Sequence, residues 1–150
     1  SDGDIVPDTY FQNIDSDVKL ARFMCYVNGL NGYSAHDNVN GKLTADIDMS
    51  HYLWLPIAVK DPSQGTNPSP YSGTFEGGGH VVTNLNTIGL VGYDRYGFIG
   101  KSSGATVKNL FLIDCNYLGI DQSIYGGVIA EMNGGSIIGN YANSCESIWA

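Results

Sequence analysis

An all-β solenoid of short strands closed by an N-terminal capping α-helix is predicted by three features of the sequence: a composition rich in turn and β-forming residues, one helical segment near the start, and internal repeats in the second half. The chain holds 150 residues, the size of one ordinary domain with a single core. Twenty glycines and ten tyrosines stand beside many Asn, Ser and Thr, a balance that disfavours long helices and favours short strands between turns. Only 15% of residues are charged, below the quarter or so of an average domain, so uncharged polar groups must cover much of the surface. The net charge of −8, with seven Lys and Arg scattered from Lys19 to Lys108, excludes nucleic acid as a partner class, because phosphate binding needs clustered cations. No run approaches the roughly 20 apolar residues of a membrane helix, and no signal peptide opens the chain at Ser1. A mature or trimmed piece of something longer is expected, ending at Trp149 and Ala150 without a polar tail.

The helix is expected over about residues 15–30. Leu20, Phe23, Met24, Val27 and Leu30 fall at helical spacing, with Val18, Ala21 and Cys25 on an adjoining stripe. Asp15 or Ser16 can cap its start, and Asn28 and Gly29 tolerate the left-handed conformation at its end. So broad an apolar face must lie against something, and the open end of a solenoid offers apolar side chains and unpaired strand edges to cover.

From about residue 41 to residue 150 short repeating units are expected. Tyr96 to Cys115 lies without gaps on Gly126 to Cys145, thirty residues on: Gly97, Ile99, Gly104 and Cys115 meet Gly127, Ile129, Gly134 and Cys145. Gly79 to Leu85 matches Gly104 to Leu110 at an offset of 25. Units of this length cannot bury their own apolar face and must stack on their neighbours. Runs such as Thr106 to Leu112 read as strands bounded by Gly, Ser and Asn, with Val107, Leu110 or its neighbours and Leu112 inward, and Lys108 and Asn109 outward or at a corner. The stretch from Asp61 to Pro70, with three prolines and no periodicity, reads as a projecting loop.

These segments resemble a known family. Gly126 to Asn143 is similar to the GLUG repeat of large secreted and surface proteins of bacteria, adhesins and IgA-peptidase-type proteins among them, and Gly89 to Gly92 looks like another start. Lys42 to Ser50, then Trp54, Pro56 and Ile57, then Tyr71 to Leu85, resemble the entry into such repeats in gut Bacteroidetes surface proteins. Ala58 departs from the pattern where Gly is expected, and Gly78 where Asn is expected. The resemblance implies a short right-handed parallel β-helix, export to an extracellular or cell-surface location, and a modular place in a longer chain.

Functional residues are sparse. Cys115 and Cys145 hold equivalent places in successive units, about 4.8 Å apart if the strands stack, which suits either a ladder of buried thiols or a disulfide. Cys25 is expected to be a buried thiol. His36, His51 and His80 are too dispersed for a metal centre, and His80 is expected in a turn hydrogen bond. No Gly-x-Ser-x-Gly elbow is present, and no cofactor is expected. Asp46, Asp48, Asp114, Asp121 and Glu131 are the candidates for acid and base chemistry of the kind polysaccharide lyases and hydrolases perform on parallel β-helices. Asp114 and Asp121 lack a nearby Lys or Arg cluster to stabilise an enolate, and Asp46 and Asp48 are expected to hydrogen-bond turn amides. Tyr93, Asp94, Arg95 and Tyr96, with Tyr117 and Tyr125 flanking a loop of the next unit, form the expected ligand-binding surface, since tyrosines give amphipathic contact at low entropic cost. The expected function is therefore a non-catalytic, adhesin-like module or rigid stalk that meets host protein or glycan, with self-association through its C-terminal end. A polysaccharide-acting enzyme, or an accessory domain of a secreted peptidase or hydrolase, is the alternative.

Overall fold

A computed structural model of the chain describes residues 6–7, 9–59, 68–87, 95–119 and 123–149. The opening residues make a single 3-10 turn, Tyr10–Gln12, and then helix α1, Asp17–Asn28. Ser16 stays extended and its side chain accepts from the Lys19 amide, while Gly29 takes the left-handed conformation at φ 75° and donates to the Cys25 carbonyl. Both ends of the helix are thus closed by residues the sequence singles out.

Fifteen short strands follow among the described residues: β1 Gly41–Lys42, β2 Ile47–Asp48, β3 Thr74–Glu76, β4 Val81–Thr83, β5 Asn86–Thr87, β6 Arg95–Tyr96, β7 Ile99–Ser103, β8 Thr106–Lys108, β9 Phe111–Ile113, β10 Asn116–Gly119, β11 Ile124–Tyr125, β12 Ile129–Asn133, β13 Ser136–Ile138, β14 Tyr141–Asn143 and β15 Glu146–Trp149. Their neighbours lie far along the chain rather than beside it. The orders are β1-β3-β8-β13, β2-β4-β9-β14, β5-β10-β15, β6-β11 and β7-β12, and each of these pairs is parallel. The chain is therefore mostly β, with successive passes stacked in register.

The thirty-residue repeat is literal over most of its length. Ile99 faces Ile129, Val107 faces Ile137, Leu112 faces Ala142, and Asn116 faces Glu146. Two details of the sequence alignment need correction. Tyr96 faces Tyr125 rather than Gly126, because the later pass carries one more residue between its eleventh and twelfth strands than the earlier one carries between β6 and β7. The 25-residue match of Gly79 to Leu85 on Gly104 to Leu110 is not a pairing either, since Val82 faces Leu112, thirty residues on.

The reason lies in the corners. Left-handed residues recur every five positions, at Gly104, Asn109 and Asp114, and again at Gly134, Gly139 and Ser144, with Gly79 and Asn84 in the pass before. The first and third residues after such a corner point inward: Ala105, Val107, Leu110, Leu112, Cys115 and Tyr117 are all buried. Each pass thus contains a five-residue echo of itself, and the 25-residue match is one corner out of phase. Both departures from the family pattern also fall on left-handed backbone, Ala58 at φ 63° and Gly78 at φ 63°. Gly or Asn is the ordinary occupant of such a position. At Ala58 the buried side chain of Asn28 accepts from the Ala58 amide and donates to the Pro56 carbonyl, holding the strained turn.

One contiguous core runs from the helix through the passes. Leu20, Phe23, Met24 and Val27 are buried, whereas Val18, on the adjoining stripe, is half exposed. The Phe23 ring meets Phe11, Tyr71 and Phe75 at centroid distances of 5.2, 6.4 and 5.3 Å. Gly41 makes this contact possible, because a Cβ there would lie 2.9 Å from both Phe23 and Phe75. Farther along, Trp54 stacks on Phe98 at 5.2 Å and its indole N–H donates to the Phe98 carbonyl. At the other end Met132, Ile137, Ile138 and Tyr141 are exposed, and β12 to β15 have a strand partner on one side only among the described residues.

Candidate ligand-binding surface

Of the residues expected to form a binding surface, Arg95, Tyr96, Tyr117 and Tyr125 are among the described ones. Tyr93 and Asp94 lie outside the described residues, as do Gly89 to Gly92, Asp121 and most of the Asp61 to Pro70 loop. Tyr96 and Tyr117 are buried in the core, at 0% and 2% exposure, which corrects the expectation that these tyrosines project outward. Alternation decides it. Tyr117 occupies the inward position of β10, and its hydroxyl donates to the Gly127 carbonyl at 2.8 Å, so its polar end is satisfied without water. Burial pushes its ionisation well above the usual tyrosine range. Tyr96 stacks on the half-buried Tyr125 at 5.4 Å, and both rings fit against Gly119, where a Cβ would lie 2.5 Å from the Tyr125 hydroxyl and 2.7 Å from the Tyr96 ring. Arg95 is engaged by Glu131, with its guanidinium 2.9 Å from the carboxylate.

Of the carboxylates considered for catalysis, Asp46, Asp48 and Glu131 have structural partners among the described residues. Asp46 accepts from the Val81 amide at 2.9 Å and lies 3.2 Å from His80 Nδ1, and these hydrogen bonds hold its carboxyl below the usual range. Asp48 accepts from the Asn84 side chain and the Ser50 amide, with the same effect. Asp114 occupies a left-handed corner. His36 lies on the Tyr26 ring, with centroids 3.8 Å apart and its Nδ1 3.2 Å from the Tyr26 carbonyl, while His51 lies 3.6 Å from Asp17. No group of three or more His, Cys, Asp or Glu that could hold a metal ion occurs among the described residues.

The two stacked cysteines are free thiols, as is Cys25. Cys115 is fully buried and Cys145 partly so, with their sulfurs on the Ile113 carbonyl and on the Leu112 and Asn143 carbonyls respectively.

What the sequence reading missed is an outward column on the sheet of β4, β9 and β14. Leu112 points inward, so Phe111 and Tyr141, which face one another across β9 and β14, project from the surface with centroids 6.0 Å apart. Tyr141 is 51% exposed. The signal was present in the thirty-residue alignment, which sets one aromatic residue on another four positions before the inward pair of cysteines meets. Beside this column runs a groove of about 540 Å³ along the corner between two sheets, lined by Lys42, Glu76, Gly78, Gly79, Asn109, Phe111 and Gly139. Its floor is kept low by glycine: a Cβ at Gly139 would lie 2.7 Å from Asn109 Oδ1. Glu76 is fixed there by the Gly78 amide at 2.6 Å and by the Asn109 side chain at 3.2 Å. A second groove of about 440 Å³ lies beside α1, lined by Val6, Pro7, Gln12, Tyr26, His36, Asn38, Val39 and Asn40, with amides and rings but no carboxylate.

Ring faces with neutral amides, one carboxylate and one ammonium suit noncovalent recognition of a polar ring with apolar faces better than bond cleavage, which needs a positioned acid and base. No helix among the described residues is long and apolar enough to cross a membrane. In comparison with known proteins, no protein-family model, no curated protein and no solved structure matches this chain.

Proposed function

We propose that the chain is a non-catalytic, adhesin-like module of a bacterial secreted or cell-surface protein, folded as a right-handed parallel β-solenoid, and that it binds glycan through the outward Phe111–Tyr141 column and the groove beside it. The carrying observation is that column: two aromatic rings side by side at equivalent places of successive passes, tilted 53° to one another and bordering a glycine-lined floor. Sugar rings stack their C–H faces on aromatic side chains, and the flanking Asn109, Glu76 and Lys42 supply hydrogen-bonding groups for hydroxyls. The resemblance to GLUG-repeat proteins supports the bacterial, exported setting and the solenoid. In-register parallel passes with left-handed corners support the solenoid from the structural side. Asp46, Asp48 and Glu131, engaged by turn amides or a cation, favour recognition over polysaccharide cleavage.

The test is a glycan-array and extracellular-matrix binding screen of the chain, run beside the Phe111→Ala, Tyr141→Ala double variant. Binding of a glycan that the variant loses by tenfold or more, with an unchanged circular dichroism spectrum, is the expected result. Glycan binding unaffected by the double substitution overturns the assignment of the surface, and silence from the folded chain overturns the binding role in favour of a rigid stalk.

A further inference from the structure

We propose that Cys115 and Cys145 are a dithiol redox pair that closes into a disulfide between successive passes, with Cys145 as the entry thiol and Cys115 as the resolving thiol. Their neighbours fix the geometry: Ile113 faces Asn143 and Asn116 faces Glu146, so the two cysteines occupy the same corner one pass apart. Parallel neighbours lie about 4.8 Å apart, inside the Cα range a disulfide requires. The Cys145 sulfur reaches the Leu112 carbonyl of the earlier pass at 3.6 Å as well as the Asn143 carbonyl two residues before it at 3.7 Å, whereas Cys115 reaches the Ile113 carbonyl two residues before it at 3.9 Å. The preceding residues, Asp114 and Ser144, both take the left-handed conformation, so each thiol follows a bend rather than lying within a flat strand.

The roles follow from access. Cys115 is sealed at 0% exposure, while Cys145 sits on the last described pass and is only partly covered. The neighbouring Cys115 thiol draws the Cys145 thiol down to about 7, which places a thiolate at the reachable position. A low-molecular-weight disulfide is the oxidant class required. The Cys145 thiolate attacks one of its sulfurs, its S–S bond breaks, and one half departs as thiolate. Cys115 then gives its proton to the departing thiolate as it attacks the Cys145 sulfur of the mixed disulfide, expelling the second half. The protein loses two hydrogens and two electrons, and the small disulfide is reduced to two thiols. Cys25, half-buried on α1 with burial pushing its thiol up, serves as an internal control.

The experiment treats the reduced chain with excess oxidised glutathione and reads intact mass, a cysteine peptide map and hydrogen exchange. The expected product has lost two hydrogens, carries a Cys115–Cys145 cross-link and leaves Cys25 alkylatable. Closing a loop of this length slows opening of β12 to β15 by up to roughly five hundredfold. Cys115→Ser is expected to stop at one glutathione on Cys145, and Cys145→Ser to leave Cys115 unmodified, each with an unchanged circular dichroism spectrum. A wild-type chain that stays reduced, that halts as a mixed disulfide, or that links Cys25 instead overturns the proposal without recourse to either variant.

Discussion

Removing the Phe23 ring tests whether helix α1 is an integral cover of the first passes or a decoration on them. Phe23 is 0% exposed and touches rings from the 3-10 turn, from β3 and from Tyr71, so its truncation leaves a hole bounded by Phe11, Tyr71 and Phe75. Gly41 cannot refill it, having no side chain. A buried Phe→Ala change that cannot collapse costs about 3–5 kcal/mol, the lost transfer energy plus the cavity. At roughly 2–4 °C per kcal/mol for a chain of this size, Phe23→Ala should lower the thermal midpoint by roughly 6–20 °C. Val18→Ala, on the exposed side of the same helix, should change stability by less than about 0.5 kcal/mol. Urea unfolding followed by circular dichroism gives both numbers, and hydrogen exchange shows whether β1 and β3 lose protection first. A Phe23→Ala cost below about 1 kcal/mol, or loss of protection confined to α1, would refute the idea that the helix closes the core.

Other expectations are narrower. Gly104→Ala should cost about 1–2 kcal/mol although nothing crowds a Cβ there, because φ is 71°; Gly104→Asn should cost less, as Asn84 and Asn109 hold the same conformation, and equal costs in urea unfolding would contradict this. Gly77→Ala should be worse than Gly104→Ala for the opposite reason, since its Cβ would strike the Asn109 and Leu110 backbone at an ordinary φ. Asp46 and Asp48 carry depressed carboxyl ionisations through the Val81 amide and the Asn84 side chain respectively, so their stabilisation is complete above the unfolded value of about 3.9 and is lost as pH falls through the folded values. Asp46→Asn and Asp48→Asn should therefore flatten the acid limb of the urea midpoint plotted against pH, and variants that retain the wild-type slope would count against these bonds. Alkylation of Cys145 should reach half its maximal rate at about pH 7, despite the opposing charge of Asp114, while Cys25 should need pH above 9; coincident profiles would dissolve the distinction between the thiols.

Much of the architecture was legible because each element repeats a local rule. The helix has its spacing and both caps in the sequence, and the thirty-residue offset survives from Ile99 to Cys145 as pairing in space. What misled was chemistry that looks the same at different places. Asn84 and Asn109 both precede a buried Leu, yet they are successive kinds of corner rather than equivalent ones, so a similarity of turn was read as a similarity of register. Tyrosine misled in the same manner. Tyr96, Tyr117 and Tyr71 fill inward positions, with Tyr71 and Tyr117 donating their hydroxyls to backbone carbonyls, whereas Tyr141 stands outside. Composition assigns an aromatic to either place, and only the parity of the strand decides between them.

The five-residue echo within each pass also sets a hazard for a folding chain. A last pass docked five residues out of step would keep left-handed residues over left-handed residues, Gly134 above Asn109 and Gly139 above Asp114, and would still set Ile137 over an inward residue, Leu112 in place of Val107. Backbone and hydrophobic pattern therefore discriminate weakly against the slip. Asn140 discriminates strongly, because in the native arrangement its side chain accepts from the Leu110 amide at 3.0 Å and donates to the Val107 carbonyl at 3.3 Å, and a slip leaves both bonds unmade. The Asn116 amide, reaching Asn86 Oδ1 at 3.0 Å, locks the previous pass in the same way. Interior bulk holds the stack together, while these asparagines act as its register pins, so the residues that decide whether the chain reaches one structure or a ladder of decoys are polar ones at the corners and edges.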